Sequence, residues 1–270
     1  MKLCRFQPLA PGVTDVTRAP HDFYPPPCLG EIEGDFVWEI AGEIWAPGAR
    51  TGSKWPLSQI KFLPPSQPSK IVCVGRNYHE HAKELGNEVP KEPLIFLKPP
   101  SAVIAPGEPI VLPSISERVD YEGELAAVIG RRCFALRDSE SALDCVAGYT
   151  CLNDVTARDL QKRDGQWTRG KGFDTFCPFG PVLETHLDFA GAMLETFVNG
   201  ARKQSARVAE MIFSVDAIIR WIAQVMTLEP GDVIATGTPS GVGPLAPGDI
   251  VEVSIAGIGT LLNTVIAREK

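Results

Sequence analysis

The chain has 270 residues, 44% of them apolar and 22% charged, enough for one large domain or a large and a small one around a sizeable core. A formal net charge of −7 argues against nucleic acid and anionic membrane as partners, because both need a basic face. Seven cysteines show no C-x-x-C pair and no zinc spacing, MKLCRFQPLAPG lacks the apolar stretch of a signal sequence, and no apolar run is long enough to cross a bilayer. The expectation is a reduced, cytoplasmic protein with no export signal or membrane span.

From the N-terminus, residues 1–60 read as short strands broken by Pro and Gly, with DFVWEI (35–40) and GEIWAP (42–47) close enough to pair as a hairpin. The three prolines of KFLPPSQPSK (61–70) cannot sit in a central ladder, so this segment reads as a linker. The predicted division is a small β-rich N-terminal domain, 1–65, and a catalytic domain, 66–270. A strand-rich extension packed on the main body without its own core is the alternative. Beyond residue 70 strands dominate: KIVCVG, PLIFLK, PIVLP, GELAAVIG, DVIATG, DIVEVSI and TLLNTVIA. EPGDVIAT and APGDIVEV each place a Pro-Gly turn before a β-branched run and read as consecutive strand starts. Two helices are expected: one over DSESALDCVAG (138–148), and one over SVDAIIRWIAQVM (214–226). The second has Ser214 as N-cap and a stripe of Ile218, Ile222, Val225 and Met226. Strands and helices do not alternate, which argues for a β-rich α+β fold over a doubly wound sheet.

Three carboxylates carry the most chemical information. In VDYEGELAAVIG, Glu122 and Glu124 are two apart, so on a strand both leave the same face. Like charges that close need an offset, and a hard cation with oxygen ligands supplies one, with Asp154 of CLNDVTARDLQ as a third ligand. Taken singly, the pair reads equally as a solvated strand face and Asp154 as the N-cap of a short helix. If that helix starts at Asp154, Gln161 lies two turns on along the same face. An all-oxygen site suits Mg²⁺, with Mn²⁺ as the other fit. His81 and Glu84 in NYHEHAKEL are three apart, which on a helical turn makes a base and its orienting carboxylate. His79 with His81 as metal ligands is a weaker alternative, because the carboxylates already provide hard donors. Arg76 and Tyr78 precede this pair, and Arg76 can clamp a substrate carboxylate or brace its loop. A single Gly75 after the strand is no dinucleotide fingerprint, and GTPSGVG lacks a P-loop lysine.

Six motifs in order resemble the fumarylacetoacetate hydrolase family: GRNYHEHAKE, FLKPPSA, VDYEGELAAVIG, CLNDVTARDLQ, RGKGFDTFCPFGP and VIATGTPSGVGP, within residues 70–262. The resemblance implies rolled mixed β-sheets with few helices and a small N-terminal domain. It implies Glu122, Glu124 and Asp154 as metal ligands and Lys171, between two glycines, as the cation that stabilises enolate charge. Gln161 and the Thr238 loop are implied as substrate contacts, and His81 with Glu84 as an acid/base dyad on a lid-like segment. Arg158 and Asp159 read as structural, and the role of Lys98 stays open. The expected activity is Mg²⁺-dependent chemistry on a small anionic 2-oxo acid through a metal-bound enolate. C–C hydrolysis of an acylpyruvate type stands first. Isomerisation, tautomerisation or decarboxylation of an oxaloacetate- or hydroxymuconate-like diacid is the alternative, and an inactive ligand-binding relative the non-enzymatic one. Family members are typically homodimers, and that is the expected assembly.

Overall fold

The computed structural model describes residues 1–9, 25–84, 86 and 88–268. The part of the N-terminal reading that falls on residues 10–24 lies outside the described residues. The fold is mostly β, as expected, in sheets that mix antiparallel and parallel pairs. The largest sheet has 12 strands. Its main path runs Ala46–Pro56, Phe36–Glu43, Cys28–Glu33, Lys2–Pro8, Cys177–Glu184, Val146–Asn153, Gly123–Ile129, Val233–Ala235, Ile71–Gly75 and Leu94–Lys98. A second sheet joins Ala201–Arg207, Met193–Val198, Ile250–Ile255, Gly259–Ala267 and Ile110–Leu112. A third joins the short strands Thr156–Ala157, Val119–Tyr121 and Gly243–Pro244.

All seven strands read from the sequence beyond residue 70 form. The two Pro-Gly-Asp turns have a common device: the carboxylate of Asp232 accepts the N–H of Glu229 at 2.8 Å, and that of Asp249 accepts the N–H of Ala246 at 2.7 Å. The strands they launch are not consecutive neighbours, however. Val233–Ala235 lies in the large sheet and Ile250–Ile255 in the second, with Gly243–Pro244 between them in sequence.

At the N-terminus the hairpin forms one step later than predicted. Phe36–Glu43 runs through Gly42, the turn falls at Ile44 and Trp45, and Ala46–Pro56 returns with Glu43 opposite Ala46. Ile44 is buried, so the turn is anchored by an apolar side chain that composition alone assigns to a strand. The linker is likewise shorter than expected, because Ile60–Leu63 pairs with Lys2–Pro8 before the prolines begin. The N-terminal strands continue into the main body through Lys2 opposite Glu184 and Leu3 opposite Leu183. Cys4, Phe6, Val37 and Ile60 pack in the same apolar cluster as Leu125, Val182 and Ile222.

The helix over Val215–Val225 forms, with Ser214 Oγ accepting from Ala217 N at 3.3 Å. It buries Ile218, Ile219 and Ile222, while Val225, expected on that stripe, is exposed. The helix expected over residues 138–148 does not form. A single 3₁₀ turn, Ala142–Cys145, leads into the strand Val146–Asn153. Partners on both edges, Gly123–Ile129 and Cys177–Glu184, saturate that strand and override the local cap signals. Among the described residues no helix is long and apolar enough to cross a membrane.

Asp232 holds the ends of two parallel neighbours, Ile71–Gly75 and Val233–Ala235, in register. Fully buried, it accepts Ser69 N at 3.0 Å, Ser69 Oγ at 2.7 Å and Lys70 N at 3.2 Å, and it pairs with Lys70 Nζ. Asp232→Ala strands those backbone donors, and the expected loss is on the order of 3 kcal/mol, read by urea unfolding. A loss below about 1 kcal/mol would show that water replaces the carboxylate without penalty.

Candidate active site

The chain places its carboxylates where the large and the three-stranded sheets meet. Glu122 sits at the break between Val119–Tyr121 and Gly123–Ile129, and Asp154 follows the end of Val146–Asn153. The two backbones are locked together: Asp154 N donates to Glu122 O at 2.8 Å, and Glu122 N donates to Asn153 Oδ1 at 2.9 Å. Carboxylate oxygens of Glu122, Glu124 and Asp154 all lie within 4.8 Å of one another, and all three residues are buried. The alternative readings fall away. Glu122 and Glu124 are not a solvated face, and Asp154 is no helix cap, since the helix begins only at Arg158. The two-turn spacing to Gln161 therefore does not hold, although Gln161 does reach the same cavity.

Four cations answer these charges. Lys171 Nζ donates to Glu122 Oε2 at 2.7 Å and to Asp154 Oδ2 at 2.5 Å. Lys98, fully buried, donates to Asp154 Oδ1 at 2.7 Å and to Val155 O at 3.0 Å. Arg158 pairs with Glu122 and with Asp120, and Arg118 grips Asp120 at 2.8 and 3.1 Å. The result is a ladder of alternating charge, Arg118, Asp120, Arg158, Glu122, Lys171, Asp154, Lys98, with Glu124 beside it. Four carboxylates against four cations balance within the ladder, and Arg76 and Lys162 add positive charge on the cavity wall outside it. Arg158 forms salt bridges, in keeping with a structural reading, but its partners Asp120 and Glu122 lie 38 and 36 residues away, and the second belongs to the buried carboxylate trio.

Glu124 stands apart. Its carboxylate accepts Gly237 N at 2.8 Å, and no cationic side chain among the described residues bonds to it. Burial, followed by the charges of Asp154 and Glu122, pushes its carboxyl well above the usual range, and Lys171 and the Gly237 N–H offset this only in part. Glu122 goes the other way. Burial opposes its ionisation, but Lys171, Arg158 and His81 outweigh that and hold it below the usual range. Lys171 is held protonated by Asp154 and Glu122 against the opposing effect of burial. Three crowded oxygen donors, one of them lacking a cation, fit a hard divalent ion. No histidine belongs to the cluster, so His79 and His81 are not its donors.

Two glycines make the approach possible. Gly237 has φ +99°, and a β-carbon there would lie 2.7 Å from Asn77 Cβ, so its N–H meets Glu124 only as glycine. At Gly170 a β-carbon would lie 2.9 Å from Gln161 N, which is how the short helix Thr168–Lys171 presses Lys171 and Gln161 together.

His81 and Glu84, the expected acid/base dyad, share the helix His79–Glu84, with His81 Nδ1 3.3 Å from Glu84 Oε2. Glu84 also accepts Gly241 N at 3.0 and 3.2 Å, which ties this helix to the loop carrying Thr238. Since Nδ1 faces Glu84, Nε2 is the ring nitrogen left for a substrate. His81, the three carboxylates, Lys171, Arg76, Gln161 and Thr238 line one cavity of about 460 Å³, walled on its apolar side by Val74, Phe96 and Trp167. Arg76 has φ +59°, in the left-handed region that few non-glycine residues adopt. The hydroxyl of Thr238 commits its proton to Gly123 O and accepts from Gln204 Nε2, each at 2.8 Å. Tyr78 lines a separate cavity of about 350 Å³ on the side of His79 and Glu210, not this one.

The model of the fumarylacetoacetate hydrolase C-terminal domain matches residues 70–266, and that of the Rv2993c-like N-terminal domain matches residues 1–65. The chain belongs to the fumarylacetoacetate hydrolase family. It is 50% identical over 245 residues to protein Rv2993c of Mycobacterium tuberculosis, covering 90% of this chain and 92% of that protein. It is 44% identical over 224 residues to the mitochondrial oxaloacetate tautomerase FAHD2B of Bos taurus, covering 78% and 71%. Among solved structures, the 2-hydroxyhepta-2,4-diene-1,7-dioate isomerase of Mycobacterium marinum superimposes with a TM-score of 0.85 at 45% identity over the whole of both chains. The 5-carboxymethyl-2-hydroxymuconate delta-isomerase of Mycobacterium smegmatis gives 0.86 at 41% identity, covering 99% of this chain and 100% of that one. Within the fumarylacetoacetate hydrolase family, then, the similar proteins with named reactions include a tautomerase and isomerases.

Proposed function

We propose that this chain is a Mg²⁺-dependent isomerase that interconverts the keto and enol forms of a small 2-oxo diacid of the oxaloacetate or hydroxymuconate type. The observation that carries the reading is the meeting, in one cavity, of a buried carboxylate trio with the His81–Glu84 pair and Lys171. Glu122, Glu124 and Asp154 would hold the ion, Mn²⁺ being the other fit, and it would supply Lewis acidity to the 2-oxo and carboxylate oxygens of the substrate. Arg76 and Lys162 on the cavity wall, together with a divalent ion at the carboxylates, would give the cavity a positive field, which matches a substrate dianion.

The chain's own groups then move one proton. His81 Nε2 takes it from the carbon beside the 2-oxo group, and Glu84 steadies the imidazolium through Nδ1. Negative charge grows on the 2-oxo oxygen within reach of the Lys171 ammonium. Gln161 is preset as a donor, because its Oε1 already accepts Arg158 Nη1 at 2.8 Å and its amide N–H₂ is left for the substrate. Returning the proton to oxygen gives the enol, and returning it to carbon gives back the ketone. The C–C hydrolysis that the sequence placed first needs a water at the same Nε2, and the relatives with named isomerase and tautomerase reactions favour the isomerase.

Purified protein with Mg²⁺ and oxaloacetate in D₂O is expected to accelerate C3–H exchange seen by NMR, to lose this on chelation and to regain it with Mg²⁺ or Mn²⁺. Cleavage of an acylpyruvate without exchange would replace the isomerase with a hydrolase. Neither reaction with any of these substrates or an unsaturated 2-hydroxy diacid would overturn the enzyme.

A further inference from the structure

Asp120 belongs to none of the chemistry above, yet it is fully buried, and both of its oxygens are taken by guanidinium groups. It lies on the short strand Val119–Tyr121, opposite Thr156 on one side and Pro244 on the other, so its backbone is fixed by the three-stranded sheet. The start of the neighbouring helix is fixed to the same strand's approach, with Arg158 N donating to Arg118 O at 2.8 Å.

We propose that Asp120 is a positioning residue that acts through Arg158, setting how far that guanidinium competes with a divalent ion for Glu122. Arg158 divides three ways: Nε donates to Asp120 at 3.0 Å, Nη1 to Gln161 at 2.8 Å, and Nη2 to Glu122. A planar guanidinium cannot turn toward one partner without leaving another. While Asp120 holds Nε, Arg158 can neutralise Glu122 only through one edge, and the second carboxylate oxygen goes to Lys171. Without the Asp120 charge, Arg158 swings onto Glu122 as a full ion pair and the carboxylate becomes a poorer ligand. Gln161 loses its fixed orientation in the same movement. Arg118 tunes the hold from outside. Its side chain is 52% exposed, and it takes up both Asp120 oxygens, one of them the oxygen that Arg158 uses.

The inference rests on the divalent-ion reading of the carboxylate trio, and the experiment separates the two. Mn²⁺ is titrated by calorimetry into the wild type, Asp120→Asn, Arg158→Met, the double variant and Arg118→Ala, with a thermal melt of each. Asp120→Asn is expected to raise the Mn²⁺ Kd roughly tenfold, the scale for residues that orient metal ligands. In the Arg158→Met background the same change should shift Kd by less than about twofold, because its route is gone. Arg118→Ala should lower Kd, since Asp120 then turns both oxygens to Arg158; this half-exposed variant keeps the test open if Asp120→Asn does not fold. A purely structural Asp120 would lower the melting temperature and leave Kd unchanged, or would shift Kd equally in both backgrounds, and either result overturns the proposal. So does an unchanged or raised Kd in Arg118→Ala. A wild type that binds no Mn²⁺ overturns the ion reading and this inference with it.

Discussion

Replacing Glu124 with alanine is expected to abolish divalent-ion uptake and, with it, turnover, while making the ion-free protein melt at a higher temperature. The opposite signs come from one cause. Glu124 is buried against Glu122 and Asp154 with a single backbone N–H and no cationic side chain of its own, so in the ion-free protein it stores repulsion. Removing it relieves that repulsion and also removes the ligand for which no cation substitutes. Glu124→Gln separates charge from shape, because the amide oxygen can still accept from Gly237 N. Glutamine should therefore reproduce both effects without the cavity that alanine leaves. Because burial and the two neighbouring carboxylates raise the Glu124 carboxyl, the ion has to displace a proton as pH falls. Mn²⁺ affinity should weaken toward acid pH in the wild type, whereas Glu124→Gln should show no uptake at any pH. Calorimetry at several pH values reads all of this. A Glu124 variant with intact metal content and rate would end the ion-site reading.

His81→Ala is expected to lower kcat by about 10²–10⁴, the usual contribution of a positioned base, while leaving Mn²⁺ affinity within about twofold. His81 is buried beside the carboxylates, yet it bonds to Glu84 and to none of them, so its loss should touch proton transfer rather than ion binding. Glu84→Gln should cost less, since the amide oxygen can still meet Nδ1–H. What it loses is the negative charge beside the imidazolium and part of the tie to Gly241 N. Single-turnover exchange of substrate deuterium, measured beside calorimetry, checks the split. If His81→Ala exchanges as fast as the wild type, another group is the base.

Much of the site was legible because its parts are local. Glu122 and Glu124 are two residues apart, and His81 and Glu84 are three apart, so the periodicity of a strand or a helical turn fixes which way they face. The helix at 215–225 was legible for the same reason. What escaped depends on partners far along the chain. Lys98 meets Asp154 across 56 residues, Arg158 meets Glu122 across 36, and nothing within a short window distinguishes such a lysine or arginine from a solvated one. One signal was available for Lys98. It ends an apolar strand and is followed by two prolines, a poor place for a side chain meant for water. The helix read over residues 138–148 ran into the start of the strand Val146–Asn153, because the cap residues before it are local while the two neighbours that make the strand come from elsewhere. The N-terminal strands were legible as strands, but their continuity with the main sheet rests on the pairing of Lys2 with Glu184, which no window of sequence contains.

The electroneutral ladder around the carboxylates has a kinetic consequence. Every cation of that ladder already has a carboxylate partner, and Arg76 and Lys162 are the lining cations outside it, so on the proposed reading a dianion is expected to be held productively only after the divalent ion has seated. Addition is then expected to be ordered, ion before organic acid. 2-Oxo diacids are themselves chelators, and at concentrations that exceed the free ion they would bind it before it reaches the carboxylates. Rate plotted against substrate should rise, pass through a maximum and decline, and the maximum should move upward as total Mg²⁺ is raised.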